Sequence, residues 1–261
     1  MMKPIEPAKP ATAPGLTGRI ADFWARNTNA ERIMGRAVSS SARGSEEYFR
    51  DLETQRYRSH RHLPGWIASM RPGARVLEVG CGVGLDSAAM ARHGLNVTAV
   101  DLTIVGVATA NRRARAEHLD AHYACADAER LPFADGSFDY VYSFGVMHHA
   151  ADTQACVEEA LRVLKEGGEA LIMLYHRRSL NELMHRLLRL PFEERDELCP
   201  VVRRYTKKEI LPLFARFRRV AMHADFVYGE GYGAVFRWTP QFLYQLLSRG
   251  CGWHLMIRAQ R

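Results

Sequence analysis

The sequence lacks long apolar runs and any ordered cysteine pattern. A bilayer-spanning helix needs about 18 or more consecutive apolar residues, and no such run occurs in the 261 residues. The five cysteines are odd in number and scattered, without a Cys-x-x-Cys pair, which favours reduced thiols over disulfides or a zinc site. The start of the chain lacks the apolar core of a secretory signal. We therefore expect a cytoplasmic protein with no membrane partner and no metal.

A glycine-rich segment, residues 76–84, joins a strand-like run to a helix-like run. A second strand-like run, Leu95–Val100, ends on Asp101, about 20 residues after Glu78. Glycine lets the backbone approach a ligand closely, and doubly wound sheets bind ligands at the carboxyl ends of their strands. The pattern predicts a site for an adenosine-containing cofactor, with Asp101 at the ribose hydroxyls.

The spacing of the glycines distinguishes two cofactor classes. A dinucleotide site would show Gly-x-Gly-x-x-Gly facing a pyrophosphate. Here Glu78 stands two residues before Gly80, which Gly82 and Gly84 follow. A carboxylate at that position would repel a pyrophosphate and attract the ammonium of an amino-acid group. The pattern resembles the first motif of class I methyltransferases that depend on S-adenosylmethionine (SAM); an ordinary strand-to-helix turn in another α/β protein is the alternative.

Further segments match this family in order and spacing over residues 75–175. Ala126–Phe133 resembles its third-strand loop, in which an acidic side chain meets adenine, and Gly136–Ser143 and Ala170–Tyr175 resemble its fourth and fifth strands. The resemblance implies that SAM and its product S-adenosylhomocysteine are bound by Tyr57, Glu78, Gly80, Cys81, Gly82, Gly84, Asp101, Leu102, Asp127, Ala128, Ser143 and Phe144.

Strand-like and helical runs alternate along the chain, which implies a parallel sheet with helical crossovers. The helical run Ile104–His118 has Val105, Ala108 and Ala114 available for a packed face. Arg218–Tyr228 and Gly252–Ala259 indicate two closing strands. The predicted fold class is α/β: a doubly wound, mostly parallel seven-stranded sheet of the Rossmann-like methyltransferase type, with the last strand antiparallel.

Three regions are expected around the central sheet. Residues 1–16 are rich in proline and predict a disordered tail, residues 17–70 a helical cap, and residues 71–261 the SAM-binding methyltransferase domain. Within that domain, residues 177–219 form a helical insertion on the substrate side.

The cap and the insertion carry recognisable helix signals. Ser45 is placed to cap a helix that continues to Arg58, and apolar residues in Leu180–Leu188 recur at helical spacing. Thr206 and Glu209 form a capping-box pattern. By resemblance to one methyltransferase subgroup, Tyr57, with Arg56 beside it, would close over the methionine end of SAM; a solvated helix with ordinary packing is the alternative.

Four side chains that can exchange protons follow the fourth and fifth strands: His148, His149, Tyr175 and His176. Methyl transfer depends chiefly on orienting a nucleophile, and an amine or hydroxyl acceptor also needs a base. Histidine titrates near neutral pH. All four are candidate catalytic residues, with His149 the first choice; the alternative is that these histidines only pack against the sheet edge.

The sequence predicts a SAM-dependent methyltransferase that acts on a nitrogen, oxygen or sulfur atom of a small-molecule metabolite, such as an amino-acid-like compound or a biosynthetic intermediate. The net charge of +7 keeps an RNA methyltransferase as an alternative. However, Ser143-Phe144-Gly145-Val146 stands where base-methylating enzymes often carry an Asn/Asp-Pro-Pro-aromatic tetrapeptide, so nucleic acid is not the expected partner. A SAM-binding regulator without catalysis is the third interpretation. The sequence gives no indication of oligomeric state.

Overall fold

The computed structural model describes residues 15–28, 31–33, 36–189, 199–229 and 232–261. Its centre is a seven-stranded sheet with strand order β3-β2-β1-β4-β5-β7-β6. The strands are β1 (Arg75–Val79), β2 (Asn96–Asp101), β3 (Ala121–Cys125), β4 (Phe138–Phe144), β5 (Leu164–Tyr175), β6 (Arg219–Asp225) and β7 (His254–Gln260). β7 is antiparallel to β5 and β6, and the other pairings are parallel. The predicted fold class is confirmed.

Helices cover both faces of this sheet. They are α1 (Leu16–Arg26), α2 (Glu46–Ser59), α3 (Leu63–Ala68), α4 (Leu85–Arg92), α5 (Ile104–Ala116), α6 (Thr153–Val163), α7 (Leu180–Leu188), α8 (Lys207–Leu213), α9 (Ala234–Trp238) and α10 (Gln241–Cys251). Because successive strand residues point to opposite faces, Leu77 packs in the core with α6 and α8, whereas Val76 packs with α3 and α4. No described helix is both long and apolar enough to cross a membrane.

The predicted helix caps are present. The Ser45 hydroxyl accepts a hydrogen bond from the backbone N–H of Tyr48 at 3.2 Å at the start of α2. Thr206 and Glu209 form the reciprocal capping box that begins α8. Each cap satisfies backbone N–H groups that the first helical turn leaves without a partner.

Of the three residues predicted for the packed face of α5, Ala114 is buried, but Val105 and Ala108 are exposed. The buried face also includes Ala110 and Arg113. Arg113 is buried because its guanidinium is paired: Nε donates to Glu117 at 2.7 Å, and a second nitrogen contacts Glu53. Burial of a charged group is tolerated when it is paired and hydrogen-bonded.

Two segments differ in extent from the sequence expectation. β5 begins at Leu164, directly after α6 and upstream of the expected strand Ala170–Tyr175; its pairing with β4 is irregular near its start. A short antiparallel pair, Arg32–Ile33 with Arg36–Ala37, precedes α2. α1 begins at Leu16, so the expected tail lies almost wholly in residues 1–14, outside the described residues, as do residues 190–198 of the predicted insertion.

Candidate cofactor and active site

A cavity lies at the carboxyl ends of β1, β2, β3 and β4, the edge at which open α/β sheets bind ligands. Helix α1 contributes one wall and α2 another. The lining residues are Thr17, Ile20, Trp24, Thr28, Arg56, Glu78, Val79, Gly80, Cys81, Gly82, Val83, Leu85, Asp86, Val100, Asp101, Leu102, Thr103, Ala126, Asp127, Ala128, Glu129, Phe144, Gly145, Val146, His149, Ala150 and Ala151.

The turn between β1 and α4 requires glycine at each of its three glycine positions. Gly80, Gly82 and Gly84 have φ values of 81°, 52° and 77°, in the left-handed region that side chains disfavour. A Cβ on Gly80 would overlap the side chain of Val146, and one on Gly84 would lie 2.9 Å from the Cβ of Ala110. The turn therefore brings bare backbone to the cavity wall.

Asp101, at the end of β2, is held by neighbouring backbone and hydroxyl groups. Oδ2 accepts a hydrogen bond from the Gly82 N–H at 2.8 Å. Oδ1 accepts from the Thr103 N–H at 2.8 Å and from its hydroxyl at 2.7 Å. A carboxylate has about four acceptor positions, so this one is oriented by the protein and retains capacity for a ligand hydroxyl.

Glu78 is a buried acid in the cavity wall. The Ser87 hydroxyl donates to it, yet burial and the negative charge of Asp86 raise the pKa of Glu78 to about 8. At pH 7 the carboxyl is therefore mostly protonated. A cationic group beside it would favour the ionised form and lower its pKa.

A second acid, Asp86, is ionised in the same wall. Its Oδ1 accepts from Arg56 Nε and from the Tyr57 hydroxyl, both at 3.1 Å, and its Oδ2 accepts from a second Arg56 nitrogen and from the Tyr142 hydroxyl. Burial opposes ionisation, but Arg56 and these hydrogen bonds outweigh it and hold the pKa of Asp86 below its ordinary value. The Arg56 guanidinium also lies 4.6 Å from the centre of the Phe144 ring. The ion pair thus fixes α2 against the glycine turn.

The opposite end of the cavity carries the β3 loop. Asp127 Oδ1 accepts a hydrogen bond from the Glu129 N–H at 3.0 Å, which orients the carboxylate within the loop. Leu102 and Ala128 line the cavity beside it. Cys81 also lines the cavity, and burial together with Asp101 raises the pKa of its thiol well above the ordinary value, so the thiol stays neutral.

His149 lines the cavity from the short 3₁₀ turn after β4. Its Nδ1 lies 2.7 Å from the carbonyl oxygen of Val201. Because a carbonyl can only accept, Nδ1 carries a hydrogen, and Nε2 is the nitrogen that can accept a proton when the ring is neutral. The ring meets Trp24 of α1 edge-on, with the centroids 4.8 Å apart.

The other three candidate catalytic residues are placed behind this wall, outside the set of lining residues. His148 is fully buried, with its ring centre 3.9 Å from that of Tyr175, and burial, reinforced by neighbouring His149, lowers the pKa of His148 well below its ordinary value. Tyr175 packs on Trp253 at 4.4 Å. His176 Nδ1 lies 3.0 Å from the carbonyl oxygen of Gly252. Of the four, His149 alone is among the lining residues, although its ring lies 4.2 Å from that of His148 and 5.7 Å from that of Tyr175.

Three of the predicted cofactor residues also stand outside the lining set. Tyr57 acts behind Asp86, donating its hydroxyl to that carboxylate. Ser143 is buried and donates to the carbonyl oxygen of Val79 at 3.0 Å, linking β4 to β1. Gly84 is the N-terminal cap of α4. The other nine predicted cofactor residues line the cavity.

Sequence analysis did not anticipate the wall formed by α1. Thr17, Ile20 and Trp24 recur at helical spacing and face the cavity. The apolar residues Leu16, Ile20 and Phe23 carry the same periodicity and are the signal from which this helix could have been predicted. Asp86 was also missed, because an acid in the first turn of a helix is commonly only a favourable partner of the helix dipole.

Comparison with known proteins identifies the central segment. Residues 77–172 match a family described as a methyltransferase domain. The chain is 32% identical over 162 residues to 2-methyl-6-phytyl-1,4-hydroquinone methyltransferase of Synechocystis, covering 62% of this chain and 48% of the relative. It is 41% identical over 103 residues to demethylmenaquinone methyltransferase of Beutenbergia cavernae, covering 39% of this chain and 41% of the relative. The chain thus spans less than half the length of these relatives.

A solved structure shows the same fold along nearly the whole chain. It belongs to a SAM-dependent methyltransferase of Thermotoga maritima, described as a possible histamine N-methyltransferase. The TM-score is 0.63 at 17% identity, with 92% of this chain and 99% of the other covered. The shared fold therefore extends well beyond residues 77–172.

Proposed function

We propose that this protein is a class I methyltransferase that transfers a methyl group from SAM to a nitrogen, oxygen or sulfur atom of a small-molecule metabolite, since residues 77–172 match a family described as a methyltransferase domain. The observation that carries the proposal is the bare glycine turn opposite the oriented carboxylate of Asp101. That arrangement leaves space for an adenosine ligand at the sheet edge and offers its ribose an acceptor.

The residues of the cavity fit SAM in chemical type. Asp101 offers carboxylate oxygens to the ribose hydroxyls, and Asp127 with Ala128 lines the end proposed for adenine. Glu78, whose pKa is raised by burial, gains a counter-ion if the ammonium of the methionine part lies beside it. SAM, when bound, supplies an activated methyl group. Arg56 and Asp86 hold the nearby wall in place.

His149 is the proposed base for an acceptor that must lose a proton. It lines the cavity, and its basic nitrogen is set by the hydrogen bond that Nδ1 makes to Val201. Tyr175, His148 and His176 are proposed to support the sheet edge behind it, since they lie outside the lining residues.

Aromatic metabolites are the first acceptor class to test. Two relatives are named for quinone-type compounds, and Trp24 and Ile20 offer apolar contact at the cavity wall. An amino-acid-like acceptor, the other expectation, would need a carboxylate to bind its ammonium group, and α2 carries several acidic residues. However, Glu53 is engaged by Arg92 at 2.6 Å and by Arg113, away from the cavity.

The decisive experiment is incubation of the purified protein with SAM labelled at its methyl group and a metabolite library that includes hydroquinones, amines and amino acids. Label in a small product supports the proposal and identifies the acceptor atom. Total RNA serves as a parallel substrate, because the net charge of +7 favours phosphate contact. Label in RNA, with binding that weakens steeply as salt rises, would replace the proposal by the RNA alternative. Tight SAM binding without any labelled product in either arm would favour a regulator.

A further inference from the structure

A row of large apolar side chains is exposed on the two helices before the last strand. Val235, Trp238, Phe242 and Leu246 are 57%, 82%, 73% and 67% exposed. They recur at intervals of three or four residues, and on α10 they lie opposite the buried residues Tyr244 and Ser248. We call these four residues the apolar row.

The apolar row is held on a rigid base. The Arg61 guanidinium lies 4.3 Å from the centre of the Phe236 ring and donates to the side-chain oxygen of Gln241 at 3.1 Å. The Tyr244 hydroxyl donates to the carbonyl oxygen of Tyr228 at 3.1 Å. The inner faces of α9 and α10 are therefore fixed, and the outward face is presented as a defined surface.

The surroundings of the apolar row are basic. Arg237 and Arg249 are exposed on the same two helices, and residues 232–261 contain no acidic residue. Helix α7 begins beside α10, where Leu180 packs with Leu247 and Cys251. This neighbouring helix exposes Arg186 as well as Leu183 and Leu187.

In contrast to the sequence expectation of no membrane partner, we propose that the apolar row and its flanking arginines dock the protein on an anionic phospholipid surface. Helices with Trp, Phe and Leu on one side and arginine beside them lie in the membrane interface, with the apolar side chains among the acyl chains. Tryptophan favours that depth, and each basic residue near an anionic surface adds about 1 kcal/mol.

A second copy of this chain fits the same surface less well. A two-fold contact through the apolar row would place this surface against a copy of itself. Arg237 and Arg249 would then be desolvated at or beside a contact to which residues 232–261 contribute no acid. Anionic headgroups complement both arginines at once. The proposal does not depend on methyl transfer, because the row lies apart from the cavity lining.

Vesicle binding tests the proposal with the full chain. The expected result is sedimentation with vesicles of phosphatidylcholine mixed with phosphatidylglycerol, and weak sedimentation with phosphatidylcholine alone. Trp238 provides a local readout, because it is far more exposed than Trp24, Trp66 or Trp253. Its fluorescence should shift to shorter wavelength on binding, and Trp238→Phe should remove most of that shift.

Two pairs of variants separate the apolar from the charged contribution. Phe242→Gln with Leu246→Gln should weaken vesicle affinity at least about tenfold, since each side chain loses more than 1 kcal/mol of apolar burial. The control is Leu211→Gln, an exposed leucine on α8. Arg237→Gln with Arg249→Gln should weaken vesicle binding about fivefold for each charge removed. The control is Arg216→Gln with Arg218→Gln, which removes the same charge away from the apolar row.

Several outcomes would overturn the proposal. They are failure to bind the anionic vesicles, equal binding by the row variants and their controls, or a fluorescence shift that persists in Trp238→Phe. A concentration-dependent dimer in sedimentation velocity that Phe242→Gln with Leu246→Gln converts to monomer would assign the surface to a second copy instead.

Discussion

Asp101 and Gly82 are joined by a 2.8 Å hydrogen bond from the glycine N–H to the carboxylate. The bond connects the end of β2 to the turn that follows β1, so one side chain both faces the cavity and fixes the backbone across from it. Thr103 holds the other carboxylate oxygen. The orientation of Asp101 is thus established by the protein before any ligand arrives.

Asp101→Ala should weaken SAM affinity at least about tenfold. Hydrogen bonds to a charged group contribute about 1.5–3 kcal/mol each, and each 1.4 kcal/mol is a factor of ten in affinity. Calorimetric titration with SAM measures the change. Asp120→Ala, which removes an acid from an exposed position, is the control and should leave affinity unaltered. Equal affinity of wild type and Asp101→Ala would place the ribose elsewhere.

Gly80→Ala should destabilise the protein more than Gly73→Ala. The two glycines have nearly the same backbone angle, φ 81° and 79°, but a Cβ at Gly73 meets nothing within 4 Å, whereas one at Gly80 overlaps Val146. The strain of a left-handed alanine, about 1–2 kcal/mol, is therefore common to both. Urea unfolding isolates the additional cost of the overlap at Gly80, and SAM affinity should fall only there. Equal losses of unfolding free energy in Gly80→Ala and Gly73→Ala would show that the turn can rearrange to accommodate the added Cβ.

Arg56→Gln should cost about 3 kcal/mol of unfolding free energy at pH 7, because it leaves the buried Asp86 charge without its partner. The pKa of Asp86 is lowered in the wild type, so the stabilisation from this acid is present above its unfolded pKa and is lost as pH falls through its folded pKa. In the variant, burial raises the pKa of Asp86, and protonation relieves the defect as pH falls. The stability difference should shrink between pH 7 and pH 5 in urea titrations. The double variant Arg56→Gln with Asp86→Asn should recover much of the unfolding free energy that Arg56→Gln loses. If the stability of Arg56→Gln fell further below that of the wild type as pH decreases, this account would be contradicted.

SAM binding should release a proton from Glu78. Burial and Asp86 raise the pKa of Glu78 to about 8, and an adjacent ammonium would lower it. Release of up to one proton is expected near pH 7, declining towards zero as pH rises above 8, where the carboxyl is already ionised. Calorimetry in buffers of different ionisation enthalpy counts the protons. Glu78→Gln should abolish the release and exposed Glu166→Gln should not; wild-type binding without proton release at pH 7 would remove Glu78 from the ammonium site.

His149→Ala should lower turnover by about 10²–10⁴-fold, the usual contribution of a general base, while SAM affinity changes little. The acceptor identified with labelled SAM is the assay substrate. His176→Ala is the matched control, because its ring lies outside the lining residues of the cavity. Similar turnover in both variants, with the same pH profile, would indicate that His149 only positions the wall.

The sheet could be predicted from the sequence because its signals are local. The glycine turn, the acid after β2 and the apolar run of β5 each fall within a few residues, and their order fixes the topology. The buried face of α5 could not be predicted this way. Its packing depends on Arg113 meeting Glu53 of α2, a contact between residues far apart in the chain. Hydrophobic periodicity assigns an arginine to solvent, so it does not place Arg113 on the buried face beside Ala114.

The site was predicted in part for the same reason. Residues that follow β1, β2 and β3 line the cavity, because the carboxyl ends of parallel strands meet at one edge. Position in sequence could not show that His149, and not the adjacent His148, lines the cavity, since both are buried in one 3₁₀ turn with their rings 4.2 Å apart. It also could not show that Tyr175 and His176 lie behind the wall, since this depends on how Trp253 and Gly252 pack against them.

The affinity of the cavity for its proposed ligand SAM should depend in part on how stably helix α1 is docked against the rest of the protein. Its Thr17, Ile20 and Trp24 are part of the cavity wall, so a ligand that fills the cavity favours the docked helix over any conformation in which the helix has moved away. By linkage, the free energy of that docking is added to the binding free energy, and the ligand in turn stabilises the docked state. Substitutions on the inner side of α1 should then appear as changes in dissociation rate, and amide exchange in α1 should slow when the cavity is filled.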